Sequence, residues 1–144
     1  ITVFSINTFT YINNINFINN SNILNLKQTI STLPKYHNLY HKKNNTCGNI
    51  LIHPNNKFIY ASNRGHDSIA AYEIINKRLK LINIYDCHGK TPRHFTFNVD
   101  GTKLYVANQD SDNISIFNLN VNNGKLQIEK TIYCKSPNFI LIFN

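Results

Sequence analysis

Side chains able to do chemistry are concentrated in three short stretches of this sequence. The stretches are 63–68 (Asn-Arg-Gly-His-Asp-Ser), 89–94 (Gly-Lys-Thr-Pro-Arg-His) and 108–113 (Asn-Gln-Asp-Ser-Asp-Asn). Two of them contain an arginine, Arg64 and Arg93. A guanidinium pair can hold a phosphate or a carboxylate through paired hydrogen bonds, or stabilise a developing oxyanion. We therefore predict that Arg64 and Arg93 belong to a catalytic site.

The acidic neighbours of these arginines allow a structural alternative, in which each arginine forms an ion pair with Asp67, Asp86 or Asp110. His66 beside Asp67 suggests an imidazole oriented as a general base. The simpler interpretation is an exposed histidine next to a turn-stabilising aspartate, because Asp in turns commonly accepts backbone hydrogen bonds. His66 and Asp67 stay catalytic candidates beside that alternative. The polar residues predicted to contact substrate are Lys90, Gln109 and Asp110.

The sequence has no recognisable metal or cofactor motif. Cys47, Cys87 and Cys134 include no Cys-x-x-Cys pair, so neither a zinc site nor a disulfide framework is indicated. There is also no P-loop and no nucleophile elbow. We predict no metal, no cofactor and three reduced thiols in a cytoplasmic protein. Cys87 and Cys134 should lie farther apart than the ~7 Å Cα limit for a disulfide.

The chain is basic, with 15 lysines and arginines against 7 acidic residues and a net charge of +8. This balance attracts anions such as nucleic acid or a phosphorylated metabolite, although a lysine-rich solvated surface is the simpler explanation. No basic run with interleaved aromatics is present, so no nucleic-acid partner is expected. The longest apolar run, 139–143, is too short to cross a bilayer, so no membrane role is expected either.

An internal repeat organises the sequence around the reactive stretches. Residues 52–63 align with 97–108 at an offset of 45, and 1–6 align with 114–119 as part of a third copy. Helical repeats of this period would need apolar residues three and four apart, which these segments lack. Repeats of roughly 40–50 residues built from short strands are typical of propeller blades.

Each full copy of the repeat contains four short apolar or alternating segments. The predicted strands are 49–53, 58–62, 69–75, 79–85, 94–98, 103–107, 114–119 and 126–133. Asn55-Asn56, Asp100-Gly101 and Asn123-Gly124 tolerate positive φ and predict tight turns between them. We therefore predict an all-β fold, a partial β-propeller of four-stranded antiparallel blades. Its parts are a partial blade at 1–33, blades at 48–87 and 93–134, and a closing strand at 138–143.

In such a meander, the second-to-third turns and the blade-to-blade crossovers lie on one face, so all three reactive stretches should meet there.

Two long connections interrupt the repeat. Residues 7–22 are predicted to be a surface loop, and 34–46 carry His37, His41, Lys42 and Lys43. Because a propeller needs at least ~4 blades to close, and this chain opens in mid-strand without methionine, we expect a C-terminal fragment.

The motifs at 62–69 (Ser-Asn-Arg-Gly-His-Asp-Ser-Ile), 89–95 (Gly-Lys-Thr-Pro-Arg-His-Phe) and 108–114 (Asn-Gln-Asp-Ser-Asp-Asn-Ile) resemble the lactonase family of seven-bladed propellers. That family includes bacterial 6-phosphogluconolactonases and fungal carboxymuconate cycloisomerases. The resemblance runs along the whole chain and implies about four missing N-terminal blades. It also implies an arginine from a late blade in the site, for which Arg64 is our assignment and Arg93 the competitor, with a glutamate from an earlier blade.

The chain departs from this family at its first inner strand. Many members read Ala-Ala-Glu-Ile-His where this chain reads Cys-Gly-Asn-Ile-Leu at 47–51, and Asn49 cannot accept a proton as a carboxylate does. The resemblance implies that the full-length protein hydrolyses 6-phosphoglucono-1,5-lactone, a phosphosugar lactone, and needs the missing blades of its own chain. The alternatives are a cycloisomerase-like lactonising enzyme and a non-catalytic binding platform, the latter favoured by Asn49 and Leu51.

Overall fold

The computed structural model of this chain describes residues 2–6, 10–12, 24–35 and 44–143. Most regular structure within these residues consists of antiparallel strands, with one short 3₁₀ turn at Gln109–Ser111. The strands are β1 (Thr2–Ile6), β2 (Thr10–Ile12), β3 (Leu24–Thr29), β4 (Thr46–Ile52), β5 (Phe58–Arg64), β6 (Ser68–Ile75), β7 (Arg78–Asp86), β8 (Pro92–Phe97), β9 (Lys103–Asn108), β10 (Asn113–Leu119) and β11 (Leu126–Tyr133).

Two of the sheets are four-stranded meanders in which each strand is hydrogen-bonded to its neighbour in sequence. Their strand orders are β4-β5-β6-β7 and β8-β9-β10-β11, and β1 to β3 form a third sheet with the order β2-β1-β3. Each four-stranded sheet corresponds to one full copy of the 45-residue repeat. The predicted all-β architecture of four-stranded antiparallel blades is therefore confirmed.

The tight turns form where the sequence predicts them. Asn56 has φ 59°, Gly101 has φ 73° and Gly124 has φ 69°, a left-handed region that asparagine and glycine adopt at low cost. Gly101 is also required by packing, because a Cβ there would lie 2.5 Å from Nε2 of the buried His53. These turns close the face opposite to the reactive stretches.

The core lies between neighbouring sheets. Successive residues of a strand point to opposite faces. Tyr60 of β5 therefore packs with Phe95 and Val106 of the next sheet, while Ile59 packs towards Ile30, which directly follows β3. Because β5 and β6 are covered on both faces, they read as nearly continuous apolar runs and are almost entirely buried.

Some predictions for the ends of the chain need correction or comment. Thr10–Ile12 form β2, paired antiparallel with β1, so the prediction of a surface loop at 7–22 is wrong for these residues. Their β-branched and aromatic side chains suit a strand, and β1 offers them an edge. Residues 138–143 show no strand pairing within the described structure, so the closing strand stays a prediction. His37, His41, Lys42 and Lys43 lie outside the described residues.

Candidate functional site

The crossover from β7 to β8 connects the three reactive stretches. Asp67 in the β5–β6 turn accepts hydrogen bonds from two amides of this crossover. Its backbone carbonyl accepts the Cys87 N–H (3.0 Å), and its Oδ1 accepts the Thr91 N–H (2.9 Å). In the β9–β10 turn, Ser111 Oγ accepts from the Lys90 N–H (2.7 Å). These bonds confirm that the crossover and both second-to-third turns share one face.

Arg64, the last residue of β5, is half-buried beside β4. Its Nη2 donates to the Cys47 carbonyl (3.2 Å), whereas its Nε is buried without a hydrogen-bond partner. Within the described residues, no carboxylate lies at ion-pair distance from Arg64, since the ion pairs found there join Glu129 to Lys103 and Lys130. A buried donor without an acceptor costs free energy. The Arg64 guanidinium therefore retains the capacity to bind an anion.

Arg93, the second residue of β8, is exposed on the same face. Its Nη1 donates to Oε1 of Gln109 at 3.4 Å, a long and neutral contact. Arg93 also has no carboxylate partner in the part of the chain that the structure describes. Two arginines without counterions thus lie on the face that carries the reactive stretches.

The aspartates that were alternative partners for these arginines bond to other groups. Asp67 accepts backbone amides, Asp86 Oδ1 accepts the His88 N–H (2.5 Å), and Asp110 Oδ2 accepts the Thr91 hydroxyl (2.5 Å). Each carboxylate therefore orders the loop in which it lies or the loop next to it. The ion-pair alternative for Arg64 and Arg93 is not observed in the described structure.

A close approach at Gly48 brings the two arginines to one part of the molecule. A Cβ on Gly48 would lie 2.6 Å from the Pro92 carbonyl oxygen and 3.3 Å from that of Arg93. Cys47, whose carbonyl binds Arg64, is the residue before Gly48. Only glycine lets β4 approach the start of β8 this closely. The backbone at Gly48, beside the carbonyl that binds Arg64, therefore lies against the backbone of Pro92 and Arg93.

His66 and Asp67 have separate roles in the β5–β6 turn. Asp67 has φ 52°, and its Oδ1 also accepts the Gly65 N–H (3.2 Å), so it performs the turn-stabilising role. The His66 Nδ1 lies 2.7 Å from Ser68 Oγ, and the His66 N–H donates to Asn45 Oδ1 (3.1 Å). The imidazole is thereby held half-buried two residues after Arg64, and its catalytic role stays a prediction.

The residues predicted to contact substrate lie together where the crossover meets the β9–β10 turn. The Asp110 N–H donates to the Lys90 carbonyl (3.2 Å), and the Gln109 N–H donates to the Thr91 carbonyl (3.1 Å). Lys90 is exposed, and the Gln109 side chain contacts Arg93. The structure therefore brings the three residues together, and their contact with a substrate stays a prediction.

Two hydrogen bonds made by the side chains of Asn49 and His94 were missed by sequence reasoning. Asn49 Nδ2 donates to the Phe95 carbonyl (3.1 Å), and His94 Nδ1 accepts the Ile140 N–H (3.2 Å). Both members of these pairs are related by the 45-residue offset, which was the available signal. The His94 ring also lies 4.4 Å from that of Phe139, and burial lowers the pKa of His94 below its usual value.

Two fully buried asparagines fix the ends of the second strands. Asn63 Nδ2 donates to the Thr32 carbonyl (2.8 Å), and Asn108 Nδ2 donates to the Cys87 carbonyl (3.2 Å). Both carbonyls follow the last strand of the preceding sheet, so each asparagine joins neighbouring sheets. Each also directly precedes a candidate site residue, which the buried amide holds in place.

None of the three thiols is bonded to another. All three cysteines are free, which confirms the prediction that they are unlinked. Cys87 is buried, and desolvation raises its pKa to about 12. Within the described residues, no group of three His, Cys, Asp or Glu side chains is placed to hold a metal ion. No helix in the same part of the chain has the length and apolar character needed to cross a membrane.

Comparison with known proteins agrees with this geometry. The family model for lactonase, a 7-bladed beta-propeller, matches residues 8–142. The chain belongs to this lactonase family. The match includes both four-stranded sheets and all three reactive stretches, so the residues of the candidate site lie inside a lactonase domain.

Two sequence relatives and one solved structure show how similar the chain is to individual proteins. The chain is 45% identical over 97 residues to a Formosa agariphila protein named 6-phosphogluconolactonase, covering 63% of this chain and 28% of that protein. It is 42% identical over 105 residues to an uncharacterized protein of Lactococcus lactis subsp. cremoris, covering 72% of this chain and 30% of the relative. The structure of the Pseudomonas aeruginosa periplasmic gluconolactonase PpgL superposes with a TM-score of 0.73 at 20% identity, covering 83% and 33% of the two chains, and shows the shared fold. The chain thus spans under a third of the length of these relatives.

Proposed function

We propose that the protein to which this lactonase-family chain belongs hydrolyses 6-phosphoglucono-1,5-lactone. The observation that carries the proposal is a pair of arginines on one face of the sheets, Arg64 and Arg93, for which the described residues supply no counterion. The Formosa agariphila relative named 6-phosphogluconolactonase supports the choice of substrate. The substrate is dianionic at its phosphate and develops further negative charge at its carbonyl oxygen during hydrolysis. Two guanidinium groups match that distribution of charge.

In the proposed reaction, water adds to the lactone carbonyl carbon and gives a tetrahedral oxyanion. The bond from that carbon to the ring oxygen then breaks, and the ring oxygen takes up a proton to give 6-phosphogluconate. One arginine stabilises the oxyanion while the other holds the phosphate. His66, or a carboxylate from blades outside this chain, accepts the proton of the attacking water. No metal or cofactor takes part, and the three free thiols fit a cytoplasmic protein.

The test compares Arg64→Ala and Arg93→Ala with Lys57→Ala in the complete protein, in steady-state hydrolysis corrected for the spontaneous reaction. An arginine that binds the oxyanion should lower kcat by about 100-fold or more when removed. An arginine that grips the phosphate equally throughout should raise KM and leave kcat nearly unchanged. Lys57 is exposed in a turn on the opposite face, so its loss should leave both constants unchanged. Wild-type kinetics in both folded arginine variants would refute the assignment.

A second candidate is a non-catalytic propeller that binds a sugar phosphate without turnover. Asn49 and Leu51 favour it, because neither side chain can accept a proton as a carboxylate or an imidazole does. The Asn49 amide instead bonds to the Phe95 carbonyl, and Leu51 packs against the core. This candidate predicts that the complete protein binds 6-phosphogluconate through Arg64 and Arg93 and yet hydrolyses no lactone. Isothermal titration alongside the kinetic assay separates the two functions.

A further inference from the structure

Thr91 has a backbone conformation that its sequence disfavours twice. Its φ is 57°, in the left-handed region where a β-branched residue is a genuine outlier. It also precedes Pro92, and a residue before proline is normally extended. Such strain persists only where the surroundings over-determine it, and it is concentrated at functional sites.

Three hydrogen bonds impose this conformation, one for each polar group of Thr91. Its N–H donates to Asp67 Oδ1 (2.9 Å), its hydroxyl donates to Asp110 Oδ2 (2.5 Å), and its carbonyl accepts the Gln109 N–H (3.1 Å). Asp67 belongs to the turn of one sheet, while Gln109 and Asp110 belong to the turn of the next. Thr91 is therefore a junction between the two turns.

The same junction orients Arg93. The arginine lies two residues after Thr91, so the strained φ sets the direction in which β8 begins. Gln109 is bonded to the Thr91 carbonyl through its backbone and to Arg93 Nη1 through its side chain. Through Asp67, Thr91 is also tied to the turn that directly follows Arg64.

The next crossover repeats the backbone of this junction without the arginine. Ser136 precedes Pro137, has φ 44°, and donates its N–H to Asp112 Oδ1 (2.8 Å). It lies 45 residues after Thr91, as Asp112 does after Asp67. The residue at the position of Arg93 is Asn138. Tethering the crossover is therefore a general task of this position, and orienting an arginine is an additional one at Thr91.

We propose that Thr91 is a positioning residue, which holds Arg93 in register with Arg64 by joining the two turns through its strained backbone and its hydroxyl. The inference rests on the proposed function for its kinetic readout. Its geometric part is independent of which reaction the arginines serve. Thr91 does not touch the substrate and acts through Arg93.

The test uses Thr91→Gly and Thr91→Ser in the complete protein, alone and combined with Arg93→Ala. Glycine accepts the left-handed φ but loses the hydroxyl and the rigidity, so kcat/KM should fall by about 10- to 100-fold, as expected for misplacement by roughly 1 Å. Thr91→Ser keeps the hydroxyl and should therefore retain most of the wild-type activity. In the Arg93→Ala background, Thr91→Gly should have no further effect, because the residue acts through that arginine. Ser136→Gly makes the same change in the crossover without an arginine, and should alter melting but not kcat.

The outcomes separate this inference from the proposed function. If the wild type is active and Thr91→Gly either matches it or lowers activity equally with and without Arg93, the positioning role is refuted. If the wild type hydrolyses no lactone, the proposed function fails, and the same cycle is measured as affinity for inorganic phosphate by titration calorimetry. Thr91→Gly should then weaken phosphate binding only where Arg93 is present. Equal affinities in all variants, or no phosphate binding by the wild type, would overturn the inference as well.

Discussion

Gly48→Ala should damage both stability and activity through a single steric contact. The added Cβ would lie 2.6 Å from the Pro92 carbonyl oxygen and 2.6 Å from Ser62 Oγ, whereas ordinary van der Waals contacts begin near 3.4 Å. Strand β4 or the start of β8 must then shift by about 0.8 Å, the difference between these distances. The backbone carbonyl cannot rotate away as a side chain would, because it is fixed by Pro92 and by the β8 ladder.

The expected cost follows from this displacement. Overpacking a close backbone contact costs about 1–3 kcal/mol, and at about 2–4 °C per kcal/mol the melting temperature should fall by roughly 2–12 °C. Arg64 is bonded to the Cys47 carbonyl and Arg93 follows Pro92, so the same shift should displace the two arginines relative to each other. Misplacement of reacting groups by about 1 Å can cost about 100-fold in rate, so kcat/KM should fall by at least 10-fold in protein that is still folded.

The assay is differential scanning calorimetry together with lactone hydrolysis, on Gly48→Ala, Ser62→Ala and the double variant. Removing the Ser62 hydroxyl relieves one of the two 2.6 Å contacts and leaves the carbonyl contact, so the double variant should not recover wild-type activity. Full recovery would show that the serine side chain alone sets the spacing. A Gly48→Ala protein with unchanged melting and kinetics would refute the steric argument altogether.

The remaining predictions concern titration, thiol access and assembly. Burial lowers the pKa of His94, so the unfolded chain protonates first, and stability should be full above pH 6.5 and fall as the pH drops through the lower pKa of the folded state. Protection of the Ile140 amide against hydrogen exchange should fall in step, because a protonated His94 Nδ1 cannot accept its N–H, and His94→Asn should abolish this pH dependence. A thiol reagent should label the exposed Cys47 rapidly. Cys87, whose pKa is raised to about 12, should stay unreacted until the protein unfolds. Equal labelling rates for the two thiols would contradict the burial of Cys87. The 144-residue chain alone should self-associate, because apolar side chains such as Phe143 (82% exposed) lie uncovered, and it should show no lactone turnover. A monodisperse monomer in ultracentrifugation would argue against self-association.

The sheets were predictable because the repeat exposes them twice. Residues 58–62 and 103–107 have the same pattern at the same offset, so an error in one copy is corrected by the other. Strand ends were less predictable. β4 begins at Thr46 and not at 49, because a bulge between Cys47 and Ile50 interrupts the alternation of side chains that marks a strand in the sequence.

The face of the candidate site was predictable from topology, whereas the partners of its side chains were not. An aspartate in a turn can accept backbone amides, bind an arginine or orient a histidine, and the sequence does not choose among these. For Asp67 the choice is made by the Thr91 amide, which is 24 residues away in the chain and arrives only when the sheets pack. Among the residues that the structure describes, Arg64 and Arg93 have no counterion because packing directs the neighbouring carboxylates to other donors.

The inner strands show why the departure at Asn49 need not be read only as a lost acid. Asn49 and His94 occupy the same position of the repeat, and each bonds through its side chain to the backbone one repeat further on, Asn49 to Phe95 of β8 and His94 to Ile140. The Asn49 amide donates to a carbonyl, which an ionised carboxylate cannot do. In this chain the position is therefore used to join blades, and strands β4 and β8 contain no acidic residue. The carboxylates of Asp67 and Asp110 in the described site accept hydrogen bonds from the loops, so in the proposed reaction the base is His66 or a carboxylate outside this chain.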